Sequence, residues 1–200
     1  MQSHTMKIES RLLQCRQFDN QKMNDTNYSY EIKPEVEIRA SINNVWNFLI
    51  DVERWWVKSN PDHKSLAFSN SVKEKVVGTE ITIREKIAGI PCKAVGEITK
   101  FETNSQVEWK ALYYLFGINW IRVHAGVAWK LKYISDDRCG LLAHVWARFP
   151  QTPGYKFLWY FFKNIMNGIV KDHEHAMKEL IYIKRTIEQD NNQESHKSLQ

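Results

Sequence analysis

The tripeptide His173-Glu174-His175 is the first place in this 200-residue chain to look for chemistry. Imidazoles flanking a carboxylate are raw material for metal ligation and proton transfer. On a helix, however, residues two apart point about 200° apart, so His173 and His175 cannot share an ion. The HExxH spacing that would place two histidines on one face is absent. Spacing therefore predicts no metal site. His173 taken singly falls four residues after Ile169 and three before Ala176, on an apolar stripe. Facing a closed cavity, it can bind a ligand carbonyl or move a proton. The plainer and favoured reading is a partly wet histidine near the helix end, bonded to a neighbour.

Glu85 shares strand parity with Ile81 and Ile83. Turned inward, its carboxyl would titrate high and serve as a general base. The favoured reading leaves it at the strand end in water. Arg122, His124 and Arg148 can clamp a carboxylate or phosphate, or form an ordinary polar outer face. GxGxxG, GxxxxGK[ST], GxSxG and paired-cysteine motifs are absent, so no nucleotide cofactor, serine-hydrolase chemistry or iron–sulfur ligation is supported. No cofactor is implied.

The elements that must position these groups follow from periodicity. Val36 and Ile38 alternate with Glu35, Glu37 and Arg39 in a first strand, Glu35–Ala40. Ser41 is a plausible N-cap for a helix through Val45, Trp46, Leu49 and Ile50. A second helical turn starts at Asp51 and ends in Arg54-Trp55-Trp56, with Asn60-Pro61-Asp62 as a loop. Strands are predicted over residues 65–69, 80–86, 92–101, 106–116, 119–134 and 140–149, with turns at Ala88-Gly89, 102–105 and Asp136-Asp137. From Tyr155 to Glu188, Leu158, Phe162, Ile165, Ile169, Ala176, Leu180, Ile183 and Ile187 make one helical face. In the preferred register of the last hairpin, Val123, Ala125, Val127, Trp129 and Leu131 share a face with Ala143, Val145, Ala147 and Phe149; a one-residue slip would exchange the faces. A sheet followed by one long apolar helix must bury the helix on the sheet, and a curled sheet can leave a cavity beneath it.

The size fits one domain, residues 31–188, between polar tails at 1–30 and 189–200; a weak helix at 7–17 is the only order expected in the first tail. Eight Trp, eight Tyr and nine Phe make the core aromatic, which suits flat or lipidic ligands. The net charge of +5 is scattered, with no polybasic run, so no nucleic acid partner is expected. Cys15, Cys92 and Cys139 are odd in number and far apart, which argues against a disulfide framework and for a cytoplasmic setting. Neither a signal-peptide core nor a membrane span is visible. The run Tyr155-Lys156-Phe157-Leu158-Trp159-Tyr160-Phe161-Phe162 has more aromatic surface than one face can hide, with Phe157 and Trp159 expected to point away from the stripe. It is either a peripheral membrane or partner contact, or it is covered by neighbouring loops.

Residues 40–51, Ala-Ser-Ile-Asn-Asn-Val-Trp-Asn-Phe-Leu-Ile-Asp, resemble the opening signature of START-like, or SRPBCC (Bet v 1-like), proteins. Val95–Phe101 running into Val107–Ala111 resembles the middle strand pair of the polyketide cyclase/dehydrase branch, and Arg148-Phe149 before Pro153-Gly154 resembles the approach to its last helix. The resemblance implies an α+β helix-grip fold: a seven-stranded antiparallel curved sheet around a long C-terminal helix, with two short helices after strand 1. It implies noncovalent binding of a hydrophobic small molecule such as a lipid, quinone or polyketide-like aromatic in an internal cavity. The alternatives are a cyclase or hydratase-type enzyme using His173 or Glu85, and a membrane- or protein-interaction module. The ligand-binding set expected on this basis is Trp55, Trp56, Ile83, Ile98, Trp109, Val127, Trp129, Phe149, Phe162, Ile165, Ile169 and His173, with His173 as the group that orients the ligand.

Overall fold

A computed structural model describes residues 28–69 and 75–197, with the side chains of 192–197 left aside. The expected tail over 1–30 and the weak helix at 7–17 lie almost wholly outside the described residues. The elements in order are β1 (Ser29–Ile32), β2 (Glu35–Ile38), α1 (Ile42–Ile50), α2 (Val52–Ser59), β3 (Ser65–Phe68), β4 (Glu80–Ile87), β5 (Ile90–Glu102), β6 (Gln106–Leu115), β7 (Arg122–Ser135), β8 (Arg138–Arg148), α3 (Pro153–Tyr160), a π-helical turn (Phe161–Ile165) and α4 (Gly168–Lys197). This is the helix-grip architecture: one antiparallel sheet curved around the last helix.

The sheet runs β1-β8-β7-β6-β5-β4-β3, with β2 also paired to β8. Eight strands stand where seven were expected: the expected first strand is β2, and the added one, β1, lies at the end of the expected tail and just beyond it. Pro34 has no N–H to donate, so the ladder lapses between β1 and β2, while its carbonyl still accepts from Ala143 N at 2.9 Å. The last hairpin adopts the preferred register, pairing Val127 with Val145 and Trp129 with Ala143. That leaves His124 and Arg148 on the outer face, directly opposite one another. The Ser41 hydroxyl accepts from Asn44 N at 3.3 Å and caps α1.

The single helix expected from Tyr155 to Glu188 is interrupted. After the π-helical turn, Asn167 adopts a left-handed φ of 54° and α4 restarts at Gly168. Glycine is required there: a β-carbon on Gly168 would lie 2.6 Å from Cδ2 of Phe162, whose ring covers the break. The slip rotates the segments relative to each other. Ile165 thereby leaves the inward stripe and is 63% exposed. Trp159, expected to point outward, is buried against Tyr30, Phe149 and Phe162, whereas Phe157, Tyr160 and Phe161 are exposed. Within α4 the stripe holds: Ala176, Leu180, Ile183 and Ile187 are buried. The helix also continues to Lys197, through the stretch expected as a tail. Asp190 pairs with Arg54 at 3.0 Å and Asn191 donates to the Arg39 carbonyl, which ties the extra turn to α2 and to the end of β2. No helix among the described residues is long and apolar enough to cross a membrane.

Gly96 lets β5 and β6 approach closely at the bend of the sheet. A β-carbon there would lie 2.6 Å from the Cα of Ala111, its cross-strand partner. Gly96→Ala should cost about 1–3 kcal/mol through overpacking. Gly154→Ala, with no atom within 4 Å of the added carbon, should be neutral or stabilising by up to about 1 kcal/mol. Urea midpoints at unchanged m-value test both; equal effects would contradict the packing account.

Candidate functional site

Between the concave sheet face and α4 lies a cavity of about 140 Å³. Trp55, Trp56, Ile83, Ile98, Trp109, Val127, Trp129, Phe149 and Phe162 all border it; for Ile83, Ile98, Trp109, Val127 and Trp129 this follows from the inward parity of their strands. Trp55 packs edge-on to Trp129 with centroids 6.0 Å apart, and its indole N–H donates to the Leu49 carbonyl. The indole Nε1 atoms of Trp109 and Trp129 are buried without a hydrogen-bond acceptor among the described residues. Two buried donors without an acceptor among the described residues are unusual, because an unpaired buried N–H costs roughly 1–3 kcal/mol.

Three members of the expected set lie elsewhere. Ile165 faces solvent and Ile169 packs into a second apolar cluster with Trp159 and Phe162. His173 is half-buried off the cavity, and burial lowers its pKa while Glu174 pulls it back up. The stripe was assigned to the right helix face, but the hollow lies off one edge of that stripe. At about 100° per residue, Asp172, His175 and Glu179 fall on one flank of Ala176, whereas His173 falls on the other. His175 therefore takes the position expected of His173.

The polar groups gather at one end of the cavity. Glu85, expected in water at the end of β4, is 5% exposed; parity with Ile81 and Ile83 carried it inward after all. Its Oε1 accepts from the Tyr113 hydroxyl at 2.9 Å. Across from it on α4, Asp172 Oδ2 accepts from the Tyr30 hydroxyl at 2.8 Å. His63, in the loop after α2, completes the group. Its ring stacks flat on Trp56 at 3.7 Å and 5°. Its Nε2 lies 2.9 Å from His175 Nε2, 3.1 Å from Glu179 Oε1 and 3.5 Å from Glu85 Oε2. His175 Nε2 lies 3.2 Å and 3.4 Å from the same two carboxylate oxygens. His63, His175 and Glu179 thus present ligand-capable atoms within 4.8 Å of one another, all buried. Sequence spacing gave no such set because its members sit 112 positions apart.

Burial and pairing set the charges. Burial pushes the His175 imidazolium down, but hydrogen bonds to Glu179 and Glu85 outweigh it and the pKa ends raised. Burial pushes Glu179 up, and its bonds to His175 and His63 reverse that, leaving it lowered. Desolvation raises both Tyr30 and Tyr113, reinforced by the carboxylates they bond. Desolvation also lifts Asp172 to about 6 against the opposing Tyr30 bond. The same burial pushes the Cys92 thiol up to about 12.

The outer face carries none of this chemistry. Arg122 and His124 are exposed, and Arg148 lies over the Trp146 ring at 5.4 Å. His144 bonds Glu31 at 2.9 Å across the sheet surface.

No family model matches the chain, and no curated protein matches it. Solved structures do. The Zhui aromatase/cyclase from Streptomyces sp. R1128 superimposes with a TM-score of 0.63 at 12% identity, over 80% of this chain and 94% of that one. Norcoclaurine synthase from Thalictrum flavum, as a point mutant with a transition-state analogue, gives 0.61 at 11% identity, over 83% and 98%. The same enzyme in complex with dopamine and hydroxybenzaldehyde gives 0.52 at 12% identity, over 78% and 88%. The chain has the START-like fold. At these identities the likeness establishes the START-like architecture alone.

Asp172 generates a pH prediction. Its folded pKa of about 6 lies above the ordinary 3.8, so the folded state holds the proton more tightly than the unfolded chain. The stability this gives is fully present below about pH 4 and is lost as pH rises through 6. The groups facing it are Tyr30, His175, Glu85, Glu179 and Cys92. Asp172→Asn keeps an acceptor for Tyr30 and removes the charge. Its stability gain over the parent should grow between pH 4 and pH 7, to at most about 3 kcal/mol. Urea unfolding at both pH values checks this; a gain independent of pH would contradict the burial of Asp172.

Proposed function

We propose that the protein binds a compact hydrophobic small molecule, a ring-sized aromatic carrying a hydroxyl, in the cavity between sheet and α4. The observation that carries this reading is an apolar hollow lined by Trp55, Trp109 and Trp129, with the Tyr30–Asp172 and Tyr113–Glu85 pairs at one end. Its volume of about 140 Å³ matches the size of cavity known to take a single benzene ring, and is too small for a sterol or an extended acyl chain. Of the ligand classes expected from sequence, the polyketide-like aromatic fits best. Apolar burial at roughly 25 cal/mol per Å² supplies the affinity, and the Tyr30–Asp172 and Tyr113–Glu85 pairs orient the polar substituent. A START-like relative in fold holds dopamine and hydroxybenzaldehyde, both of this size class.

A second reading is an acid–base enzyme of the cyclase sort. It is favoured by titratable groups opposed across an apolar chamber, Glu85 on the sheet facing Asp172, His175 and Glu179 on the helix. His173 has no part in it; Glu85 retains the role first considered for it.

The exposed aromatics of α3 and the π-helical turn keep a third, interaction-module reading in view, since Phe157 is 71% exposed. The cavity accounts for more of the molecule.

Titration with 4-hydroxybenzaldehyde and with palmitate, followed by tryptophan fluorescence, tests the main reading. Hydroxybenzaldehyde should bind and quench, palmitate should not, and Val127→Trp, which fills the hollow, should abolish hydroxybenzaldehyde binding without unfolding the protein. Tight palmitate binding, or hydroxybenzaldehyde binding that survives Val127→Trp, would overturn it.

A further inference from the structure

The convergence of His63, His175, Glu179 and Glu85 is more than a hydrogen-bond network needs. An Nε2···Nε2 separation of 2.9 Å admits at most one proton between the two rings. The other nitrogen of His63 is already committed: Nδ1–H donates to the Trp56 carbonyl at 2.6 Å, an acceptor held from the other side by the Ser59 hydroxyl. His63 therefore turns a bare Nε2 lone pair toward the cluster in its neutral form. That lone pair meets two carboxylate oxygens and a second imidazole, all buried. A single Nε2–H on His175 faces three acceptors and cannot satisfy them together. Two carboxylates and two imidazoles sum to the charge that one divalent cation neutralises.

The spacing fits such an ion. Metal–ligand bonds of about 2.0–2.1 Å at tetrahedral angles place ligand atoms about 3.3 Å apart. The three separations among His63 Nε2, His175 Nε2 and Glu179 Oε1 are 2.9, 3.1 and 3.2 Å. Two nitrogens and one carboxylate oxygen, with a fourth position open, suit zinc or a neighbouring first-row ion, whereas calcium and magnesium want more oxygens and a wider or octahedral shell. The surroundings are those of a ligating histidine: the distal nitrogen of His63 on a backbone carbonyl, and the ring held flat on Trp56. Tyr113 in turn holds the outer oxygen of Glu85.

We infer that His63, His175 and Glu179 form a binding site for one divalent first-row transition ion, of the zinc class, at the polar end of the cavity, with the fourth position left to water or a ligand oxygen. His63 closes the site from behind, and His175 and Glu179 border the cavity, with Glu85 beside them as a neighbouring carboxylate. An ion held there faces the apolar chamber as a Lewis acid and can polarise an oxygen of whatever the chamber holds. The inference goes beyond the small-molecule reading and does not depend on it, since the metal alone is the probe.

The full chain is dialysed against a chelator and titrated with Co²⁺, then Zn²⁺ is added in competition. One equivalent of Co²⁺ should bind with the intense visible bands of a four-coordinate nitrogen–oxygen site, and one equivalent of Zn²⁺ should displace it. His63→Ala, His175→Ala and Glu179→Gln should each weaken binding at least 100-fold, while His173→Ala should leave it unchanged. The wild-type Co²⁺ spectrum does not depend on whether the variants fold. Absence of a stoichiometric four-coordinate spectrum, or binding that persists undiminished in folded His63→Ala and His175→Ala proteins, would overturn the site. Failure of hydroxybenzaldehyde to bind would leave this outcome untouched, so the two readings fail separately.

Discussion

A carboxylate cannot leave water without compensation, and this fold withdraws three of them at one place. Glu85, Asp172 and Glu179 are each under a tenth exposed. Each is held by a partner delivered from a different element: Tyr113 from β6, Tyr30 from β1, His63 from the loop after α2. That requirement binds the two short helices to the sheet and to α4 more specifically than apolar packing would. Apolar surface is indifferent to rotation, whereas a hydrogen-bonded carboxylate is not. The break before α4 is part of the same constraint. A continuous helix from Tyr155 would have fixed one phase for its whole length. The π-helical turn and the left-handed Asn167 let α3 bury Trp159 independently while α4 turns Asp172, His175 and Glu179 toward the hollow.

What local pattern determines was legible. Ser41 at the start of α1, the parity of β4 to β8 and the hairpin register all rest on neighbours one to a few positions away, where side-chain period and turn chemistry act. The sheet side of the cavity wall follows from that parity, which is why Ile83, Ile98, Trp109, Val127 and Trp129 border it. Pro34 separating β1 from β2 was readable in principle, since proline interrupts a ladder wherever it falls inside one.

The polar site was not legible because no periodicity governs it. His63 lies in an irregular loop beside Asn60 and Pro61, and nothing in its neighbourhood distinguishes it from a solvated histidine. Its partner is 112 positions away. His173 and His175 differ by two positions on one helix, and the choice between them depends on which flank of the stripe meets the hollow. That is a property of how the sheet curves, which only the assembled fold defines. Glu85 shows the same limit in reverse. Strand parity pointed inward, and the general rule that carboxylates stay wet pointed outward. The rule yielded because Tyr113 and two histidines were waiting on the other side.

A chamber built only to hold an apolar molecule would be more stable with leucines where these groups stand. Replacing buried ionic clusters by well-packed apolar residues is often neutral or stabilising. Two tryptophans of the same cavity, Trp109 and Trp129, also bury N–H groups without acceptors among the described residues, a second cost at that place. Local rules that a fold breaks together, at one place, mark the place where stability has been exchanged for chemistry. The grip of α4 on the sheet is strong enough to carry that cost, with Leu180 beside Glu179 and Ile183 one turn beyond it both wholly buried. The apolar half of the helix holds the domain together, and its polar flank is thereby free to be something other than core.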